Sequence, residues 1–298
     1  MNGGPVPLFG IGPTRCGTSW LYQVLKELPE VATSSVRPKE SHILDVDVPR
    51  MGADAFAAHF KDVGAEARYL CDITPTYCLM SSAQIAAIAK RWPDAKVLAF
   101  VRDPVARAVS GVMRARRYAH LGQQNESAPG TWAEAYALNG GTSRRQNAYD
   151  ENIARWRAHY GDNVHVVVFD HLRQDPDTTI NACLSFLGIE PPPDGLASAV
   201  NKRINVSSKM APNIDATNEL ALVDHWLAAP PLSVVAEATY GQWQDTWQAR
   251  RAQLAPKAPS AKARRTRTLL DASYAAYRRA KALKDTVKAR RMEKALAA

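Results

Sequence analysis

Long hydrophobic segments are absent from this sequence of 298 residues. No run approaches the roughly 18 apolar residues that a membrane-spanning helix needs. The first ten residues, MNGGPVPLFG, also lack the basic region and apolar stretch of a secretory signal peptide. Because 46% of the residues are apolar and 22% are charged, the composition favours an ordinary globular protein with a full-sized core, and we expect it to be cytoplasmic.

Cysteine is scarce. The chain has four, Cys16, Cys71, Cys78 and Cys183. Only Cys71 and Cys78 lie near each other, and their spacing fits no common zinc site. We therefore expect reduced thiols, with Cys16 packed or lining a site, and no metal.

Excess positive charge is confined to the end of the chain. The net charge is +9, from 38 Lys and Arg against 29 Asp and Glu. Residues 257–298 hold 13 basic and three acidic residues, so that segment carries +10 and the remainder −1. A domain that binds nucleic acid more often spreads a basic face over its fold, so we expect no nucleic-acid partner.

The basic segment predicts a helical extension. Pro256 and Pro259 indicate a linker, and beyond it apolar residues recur at helical spacing: Leu270, Tyr274, Tyr277, Leu283 and Val287. We expect a domain at 1–255 and an extension at 256–298. The extension either docks on the domain with a solvated basic face or makes peripheral contact with an anionic membrane or acidic partner.

Apolar runs alternate with helical patterns over the first two thirds of the chain. The predicted strands are Val6–Ile11, Tyr69–Ile73, Lys96–Val101 and Val164–Phe169, and the predicted helices are Thr18–Leu28, Ser81–Trp92, Pro104–Tyr118 and Tyr149–Tyr160. Strands that are apolar on both faces and alternate with helices indicate a parallel sheet covered on both sides. We expect a P-loop-like three-layer α/β/α fold, a surface excursion at 121–141 and a helical C-terminal region from about residue 215.

A glycine-containing loop follows the first predicted strand. Residues 12–19 read G-P-T-R-C-G-T-S, with the glycine spacing of a Walker A loop but Thr18 in place of its lysine. That substitution argues against a kinase or ATPase. The loop can still hold a phosphate through its backbone N–H groups and the start of the next helix, aided by Arg15 and Ser19. A tight turn with a helix cap would use the same glycines, so this loop alone does not distinguish a phosphate site from a simple turn.

A second candidate anion site begins where the third strand ends. Residues 102–110 read R-D-P-V-A-R-A-V-S, which puts Arg102 at the end of the strand and Ser110 two turns along the next helix. An arginine fork and a hydroxyl suit a phosphate. Two separated anion sites indicate a nucleoside ligand with phosphate at both ends.

Together the two motifs resemble sulfotransferases that use 3′-phosphoadenosine 5′-phosphosulfate (PAPS), especially bacterial members and the heparan sulfate type. The resemblance implies that GPTRCGTSWLYQVL binds the 5′-phosphosulfate and VRDPVARAVSGVMRARR the 3′-phosphate. It assigns PAPS contacts to Arg102, Ser110 and a loop set consisting of Arg15, Cys16, Gly17, Thr18, Ser19 and Trp20.

Two weaker segments agree with this family. YLCDITPTY at 69–77 is similar to its second-strand segment, and NKRIN at 201–205 is similar to a late basic loop, which adds Lys202 and Arg203 as candidate contacts. At Ile73 the heparan sulfate type carries a lysine, which argues against a glycosaminoglycan acceptor. Small molecules, lipids and other carbohydrates remain possible acceptors.

The resemblance also implies in-line transfer of a sulfuryl group to a hydroxyl or amine, without a metal. By analogy with phosphoryl transfer, positioning and electrostatics supply most of the rate. Glu40 in R-P-K-E-S-H-I-L is the first choice of base and His42 its competitor. Arg15 stands where the heparan sulfate type has a lysine and acts electrostatically, because its pKa is too high for proton donation. Lys39 can return a proton to the product, or merely pair with Glu40 at the surface.

Two other functions fit parts of the sequence. A P-loop phosphotransferase would use the first loop and a magnesium-binding carboxylate such as Asp103, although the R-D-P context of that residue suits a helix start. A non-catalytic nucleotide-binding protein would keep both anion sites and tolerate changes at Glu40 and His42.

Overall fold

A computed structural model describes residues 4–61, 63–120, 132–192, 196, 214–255, 269 and 284–297. The chain forms two compact units: one comprises Met1–Val101, Glu151–Asn205 and Ala282–Ala298, the other Arg102–Asp150 and Val206–Lys281. The boundary expected at residue 255 stays a prediction. Several expected features lie outside the described residues: Lys202, Arg203, the linker at Pro256 and Pro259, and the apolar positions Leu270, Tyr274, Tyr277 and Leu283.

The first unit contains five strands, β1 Val6–Ile11, β2 Val31–Thr33, β3 Tyr69–Ile73, β4 Lys96–Val101 and β5 Val164–Val168. The helices, in chain order, are α1 Thr18–Leu25, α2 Val48–Met51, α3 Asp54–Ala58, α4 Ser82–Arg91, α5 Pro104–His120, α6 Trp132–Asn139, α7 Gly141–Asn147, α8 Tyr149–Tyr160, α9 Phe169–Gln174, α10 Pro176–Leu187, α11 Ala216–Leu227, α12 Glu237–Leu254 and α13 at 284–297. A π-helical turn, Ile43–Asp47, and a 3₁₀ turn, Pro75–Leu79, complete the part around the candidate site. None of the helices in the described ranges combines the length and apolar character needed to cross a bilayer.

All four strand pairings are parallel, in the order β2-β3-β1-β4-β5. From β1 the chain goes first to the edge strand β2 and returns to β3 beside β1, then crosses to the other side for β4 and β5. Connections after β1 and β4 therefore diverge at the carboxyl ends of adjacent strands. In open α/β sheets, ligands bind at such a switch point.

Neighbouring residues of β1 bury opposite faces of the sheet, as the alternation of strand side chains requires. Leu8 belongs to the core cluster that includes side chains of α1 and α10, such as Leu21 and Leu184. The ring of Phe9 lies on the other side, with its centroid 6.0 Å from that of Phe56 and 6.2 Å from that of Trp156. This unit therefore has the expected α/β/α layers around a central parallel sheet.

Several boundaries differ from the sequence predictions. The short strand β2 was not predicted, because three residues of the sequence VAT carry no periodic signal. Helix α1 ends at Leu25 rather than Leu28, and Phe169 begins helix α9 instead of ending the last strand. The segment expected as a surface excursion, 121–141, contains α6 where it is described and ends at the first residue of α7.

The four cysteines are free, as expected, and all four are buried. Cys16 belongs to the hydrophobic cluster beside α1. Burial raises the pKa of Cys183 to about 12, and it also raises the pKa of Cys71. These thiols therefore pack as small apolar side chains.

The second unit has a core of aromatic side chains from α11 and α12. The Trp247 ring is 1% exposed, and its centroid lies 5.6 Å from the Tyr240 ring and 6.2 Å from the Trp226 ring. Arg250 donates two hydrogen bonds, of 2.6 and 2.7 Å, to the carboxylate of Glu219, which joins the same two helices. These contacts confirm a helical region from about residue 215.

Helix α13 packs on the rest of the first unit, through a different face from the one expected. Ala289 and Met292 are buried, whereas Val287 is 60% exposed. The predicted apolar stripe is therefore wrong at Val287. The buried side chains, Ala289 and Met292, are small or unbranched and do not belong to the pattern of large apolar residues.

Candidate active site

The loop between β1 and α1 has the backbone of an anion-binding turn. Gly12 has φ +139°, and a Cβ atom there would lie 2.6 Å from the carbonyl oxygen of Phe100 on β4. Gly17 has φ +83° and stands at the N-cap of α1, where no side chain caps the helix. Backbone N–H groups of the first turn are therefore directed to the carboxyl end of the sheet, at the positive end of the helix dipole.

The expected loop residues surround this turn. Thr18 is 4% exposed at the first position of α1, and Ser19 and Trp20 follow it, both half-buried. Arg15 is half-buried and has φ +75°. The structure therefore gathers the loop set in one turn, in which the Cys16 side chain packs in the hydrophobic core.

Hydrogen bonds to β3 bring residues 40–42 to the same end of the sheet. The Glu40 N–H donates to the carbonyl of Ile73, and the His42 N–H donates to Oγ1 of Thr74, each over 3.3 Å. The Thr74 N–H in turn donates to the carbonyl of Gly10 on β1 over 3.1 Å. Since Gly10 lies two residues before Gly12, both base candidates are anchored beside the strand that carries the loop.

His42 is oriented by a carboxylate. Asp45 oxygens lie 3.0 and 3.1 Å from the His42 Nδ1, and Thr76 donates its hydroxyl to Asp45 over 2.7 Å. A carboxylate only accepts hydrogen bonds, so the geometry assigns the proton of the neutral ring to Nδ1. Nε2 is then the nitrogen with a lone pair, which is the arrangement of a general base.

Glu40 has a different environment. Its carboxylate is 44% exposed and lies 2.8 Å from the ammonium group of Lys39. A surface pair of this kind contributes little to stability. It does place a cation and a carboxylate together at the rim of the candidate site.

Backbone strain coincides with the residues chosen from the sequence. Among the described residues, the non-glycine positions with positive φ are Arg15 (75°), Glu40 (52°) and His42 (55°). All three belong to the predicted catalytic set. Such conformations persist where surrounding contacts fix them, and they concentrate at functional sites.

Sequence analysis missed the buried polar group beneath this segment. Asp72, 1% exposed, accepts hydrogen bonds from the hydroxyls of Ser41 (2.5 Å), Thr74 (2.8 Å) and Tyr77. Burial raises the pKa of Asp72, and the three hydroxyl bonds oppose that rise. A charged residue inside an apolar strand was the available signal, because such a residue is rarely buried without partners.

The remaining predicted residues belong to the second unit. Arg102 directly follows the last residue of β4, and its carbonyl accepts a hydrogen bond of 2.8 Å from the Tyr149 hydroxyl. Ser110 lies in α5 and is 5% exposed. Asp103 caps this helix: Oδ1 accepts from the N–H groups of Val105 (2.8 Å) and Ala106 (3.2 Å) and from the indole of Trp247 (3.0 Å).

Comparison with protein families decides the class of protein. The model of the sulfotransferase family matches residues 39–193, more than half of the chain. This chain belongs to the sulfotransferase family. The match includes Lys39, Glu40, His42, Arg102 and Ser110, while the loop after β1 precedes it.

A solved structure agrees with this sulfotransferase on the fold. A sulfotransferase from Alicyclobacillus acidocaldarius superposes with a TM-score of 0.53 at 19% identity, covering 87% of this chain and 99% of that one. A mouse sulfotransferase complexed with PAP has a TM-score of 0.45 at 15% identity, covering 89% of each chain. No curated protein sequence matches the chain.

The loop geometry generates a prediction for Gly12→Ala. We expect the variant to lose about 2–3 kcal/mol of unfolding free energy, because alanine avoids φ +139° and its Cβ would meet the Phe100 backbone. Urea unfolding measures the loss. Gly64→Ala is the control, since a Cβ there meets nothing within 4 Å, and its change should stay within about 0.5 kcal/mol. Equal losses in both variants would contradict the prediction.

Proposed function

We propose that this sulfotransferase uses PAPS and transfers its sulfuryl group to a hydroxyl or amine by in-line displacement. The observation that carries the proposal is the turn at Gly12 and Gly17, which aims N–H groups at the switch point of the sheet without a Walker lysine. This suits a phosphosulfate better than a magnesium-bound triphosphate. PAPS itself supplies the activated sulfuryl group, and the scheme needs no metal.

The resemblance assigns the two ends of PAPS to different motifs. The loop set, with Arg15 as its cation, would hold the 5′-phosphosulfate, and Arg102 and Ser110 would hold the 3′-phosphate. Lys202 and Arg203 are further proposed contacts. An arginine stabilises the charge that collects on the departing phosphate, since its guanidinium stays protonated.

The transfer requires three changes that balance. The acceptor oxygen or nitrogen forms a bond to sulfur, the bond from sulfur to the bridging oxygen of PAPS breaks, and the acceptor proton goes to a base. We propose Glu40 as that base, with His42 beside it to orient the acceptor. Lys39 or water can then protonate the product.

His42 stays the competing base, because Asp45 holds its ring with Nε2 as the lone-pair nitrogen. Two observations favour Glu40: the resemblance of R-P-K-E-S-H-I-L, and the exposed carboxylate, which an acceptor can reach without displacing a buried group. Either residue can take a proton, so the assignment depends on kinetics.

The two alternative functions find less support. The proposed magnesium carboxylate, Asp103, already serves as a helix cap and accepts an indole hydrogen bond, which leaves the phosphotransferase without its metal ligand of choice. A binding protein without catalysis has no need of strained backbone at Glu40 and His42.

Acceptor chemistry stays broad within this proposal. Ile73 is buried and 1% exposed at the carboxyl end of β3, where the heparan sulfate type carries a lysine. An apolar side chain there offers no charge to a sulfated polysaccharide. We propose a small-molecule, lipid or carbohydrate acceptor.

One prediction of the proposed function concerns the nucleotide. Adenosine 3′,5′-bisphosphate (PAP), the product of transfer, should bind at micromolar strength in calorimetry, ATP with magnesium should not, and Arg102→Ala should abolish PAP binding. Loss of one charged phosphate contact typically costs 2–5 kcal/mol. The exposed Arg251→Ala, which breaks a surface pair with Asp224, is the control and should bind normally. Preferential binding of ATP would overturn the proposal.

Another prediction of the proposed function concerns the base. Glu40→Gln should lower PAP release from PAPS by roughly 10²–10⁴-fold, the usual contribution of a general base, while His42→Gln should cost about tenfold. Turnover of the two variants, measured side by side, separates the two assignments. A larger loss in His42→Gln would transfer the role to that residue.

The outward face of α13 supports a second, binding function. Lys288, Arg291 and Lys294, which we call the tail triad, are exposed, as is Val287, while Ala289 and Met292 face the first unit. Basic residues beside an exposed apolar side chain fit the headgroup region of an anionic membrane. We propose that α13 makes peripheral contact with such a surface.

Vesicle sedimentation tests this contact. The native chain should bind vesicles of phosphatidylserine and phosphatidylcholine more tightly than vesicles of phosphatidylcholine alone. Replacing the tail triad by glutamine should weaken binding by about a hundredfold, at roughly 1 kcal/mol for each of the three charges. A control that neutralises three exposed lysines elsewhere, Lys26, Lys61 and Lys90, should bind as the native chain does. Equal loss in both variants would mean attraction by net charge alone.

A further inference from the structure

We propose that Asp72 is a positioning residue that fixes residues 40–42 for catalysis through the hydroxyls of Ser41, Thr74 and Tyr77. The proposal rests on the proposed sulfuryl transfer for its kinetic part, and on hydrogen bonds within the first unit for its structural part. Asp72 touches no reacting atom. It acts through Ser41, the residue between the two base candidates.

The carboxylate is saturated by donors from three directions. Oδ1 accepts from Ser41 Oγ (2.5 Å) and Thr74 Oγ1 (2.8 Å), and Oδ2 accepts from the Tyr77 hydroxyl. Asp72 lies in β3, paired in register with Phe9 of the central strand. The anchor is therefore part of the parallel sheet, while the three donors belong to residue 41 and to the turn that follows β3.

Two of these hydroxyls also hold the backbone of the segment, and the third belongs to Ser41 within it. Thr74 Oγ1 accepts the N–H of His42 over 3.3 Å, and the Tyr77 hydroxyl accepts the N–H of Leu44 over 2.9 Å. Ser41 is 1% exposed between Glu40, which points to solvent, and His42. One buried carboxylate is thus connected to residues 41, 42 and 44 through single hydroxyl groups.

Strain explains why this segment needs an anchor. Glu40 and His42 both have positive φ, a conformation that ordinary side chains leave when nothing holds them. Ser41 donates its hydroxyl to Asp72, and Thr74 and Tyr77 accept N–H groups of the segment. These hydrogen bonds keep the segment from relaxing to a standard extended or helical backbone. Without them, both base candidates would move away from the carboxyl end of the sheet.

Aspartate is the residue type that this geometry requires. An ionised carboxylate accepts at both oxygens, whereas an asparagine would present an NH₂ group to one of the donors. The Tyr77 hydroxyl already accepts the Leu44 N–H, so its own proton has to be donated, and Asp72 Oδ2 is the acceptor. Burial opposes ionisation and raises the pKa of Asp72, while the three hydroxyls favour the charged form.

Hydrogen exchange tests the anchor without an acceptor or PAPS. We expect Asp72→Asn and Tyr77→Phe to speed exchange of the amides in residues 40–44 by about tenfold, the loss of one net hydrogen bond. Tyr69→Phe is the matched control: this tyrosine is also buried, donates one hydrogen bond of 2.6 Å to the carbonyl of Leu187, and begins the same strand at its far end. Its exchange in residues 40–44 should equal that of the native chain.

Turnover and binding then separate positioning from stability. At a temperature where every variant is folded, PAP release from PAPS should fall about tenfold or more in Asp72→Asn and Tyr77→Phe, and PAP affinity should stay within about twofold, because the loop set is untouched. Tyr69→Phe should keep native turnover even where its melting temperature falls as much. Tyr77→Phe keeps the test valid where Asp72→Asn does not fold.

Three outcomes are decisive. Unchanged exchange at residues 40–44 in both variants, or the same increase in Tyr69→Phe, would overturn the anchor. Faster exchange with native turnover would overturn its catalytic part. Faster exchange in a protein whose native form neither binds PAP nor consumes PAPS would support the anchor and reject the proposed function, so the two failures are distinguishable.

Discussion

The close approach of two parallel strands at Gly12 is the constraint on which the candidate site depends. Strand β1 is covered on both faces and paired on both sides. Beyond its carboxyl end the chain passes directly over β4. A side chain at Gly12 would collide with the Phe100 backbone. Glycine therefore permits the loop to turn back toward α1, and the N–H groups of that helix face the switch point because of the turn. The anion site is thus a consequence of sheet topology before any charged residue contributes.

Much of this organisation could be predicted because the central strands are buried on both faces. Continuous apolar runs gave the bounds of β1, β3 and β4 to the residue, and the glycines of the loop indicated the turn. Strand β2 escaped, since its three residues derive their conformation from pairing with β3 rather than from local pattern. Val287 was misplaced for a related reason: helical spacing identifies a set of aligned residues, but the docking partner decides which face is buried.

The contacts within the site were beyond sequence reasoning, although the two base candidates were not. Glu40 and His42 were identified from their resemblance to a family segment, yet the roles of Asp45 and Asp72 depend on backbone that turns left-handed twice within three residues. That conformation is uncommon for any residue other than glycine, so local sequence does not predict it here. Tertiary hydrogen bonds from β3 impose it, and those bonds join residues about 30 positions apart in the chain.

Strain and burial in this site offset each other in a way that explains its composition. A non-glycine residue with positive φ costs ~1–3 kcal/mol, and a buried carboxylate is unfavourable unless its hydrogen bonds are satisfied. Three hydroxyls satisfy the buried carboxylate of Asp72. The same hydroxyls hold the segment in which Glu40 and His42 have positive φ. Replacing either part alone would leave an uncompensated cost: glycines at 40 and 42 would remove the candidate bases, and an apolar residue at 72 would leave three buried hydroxyls without their acceptor. The network is therefore stable only as a unit, which is the property required of a scaffold that has to hold a base in one position while acceptors come and go.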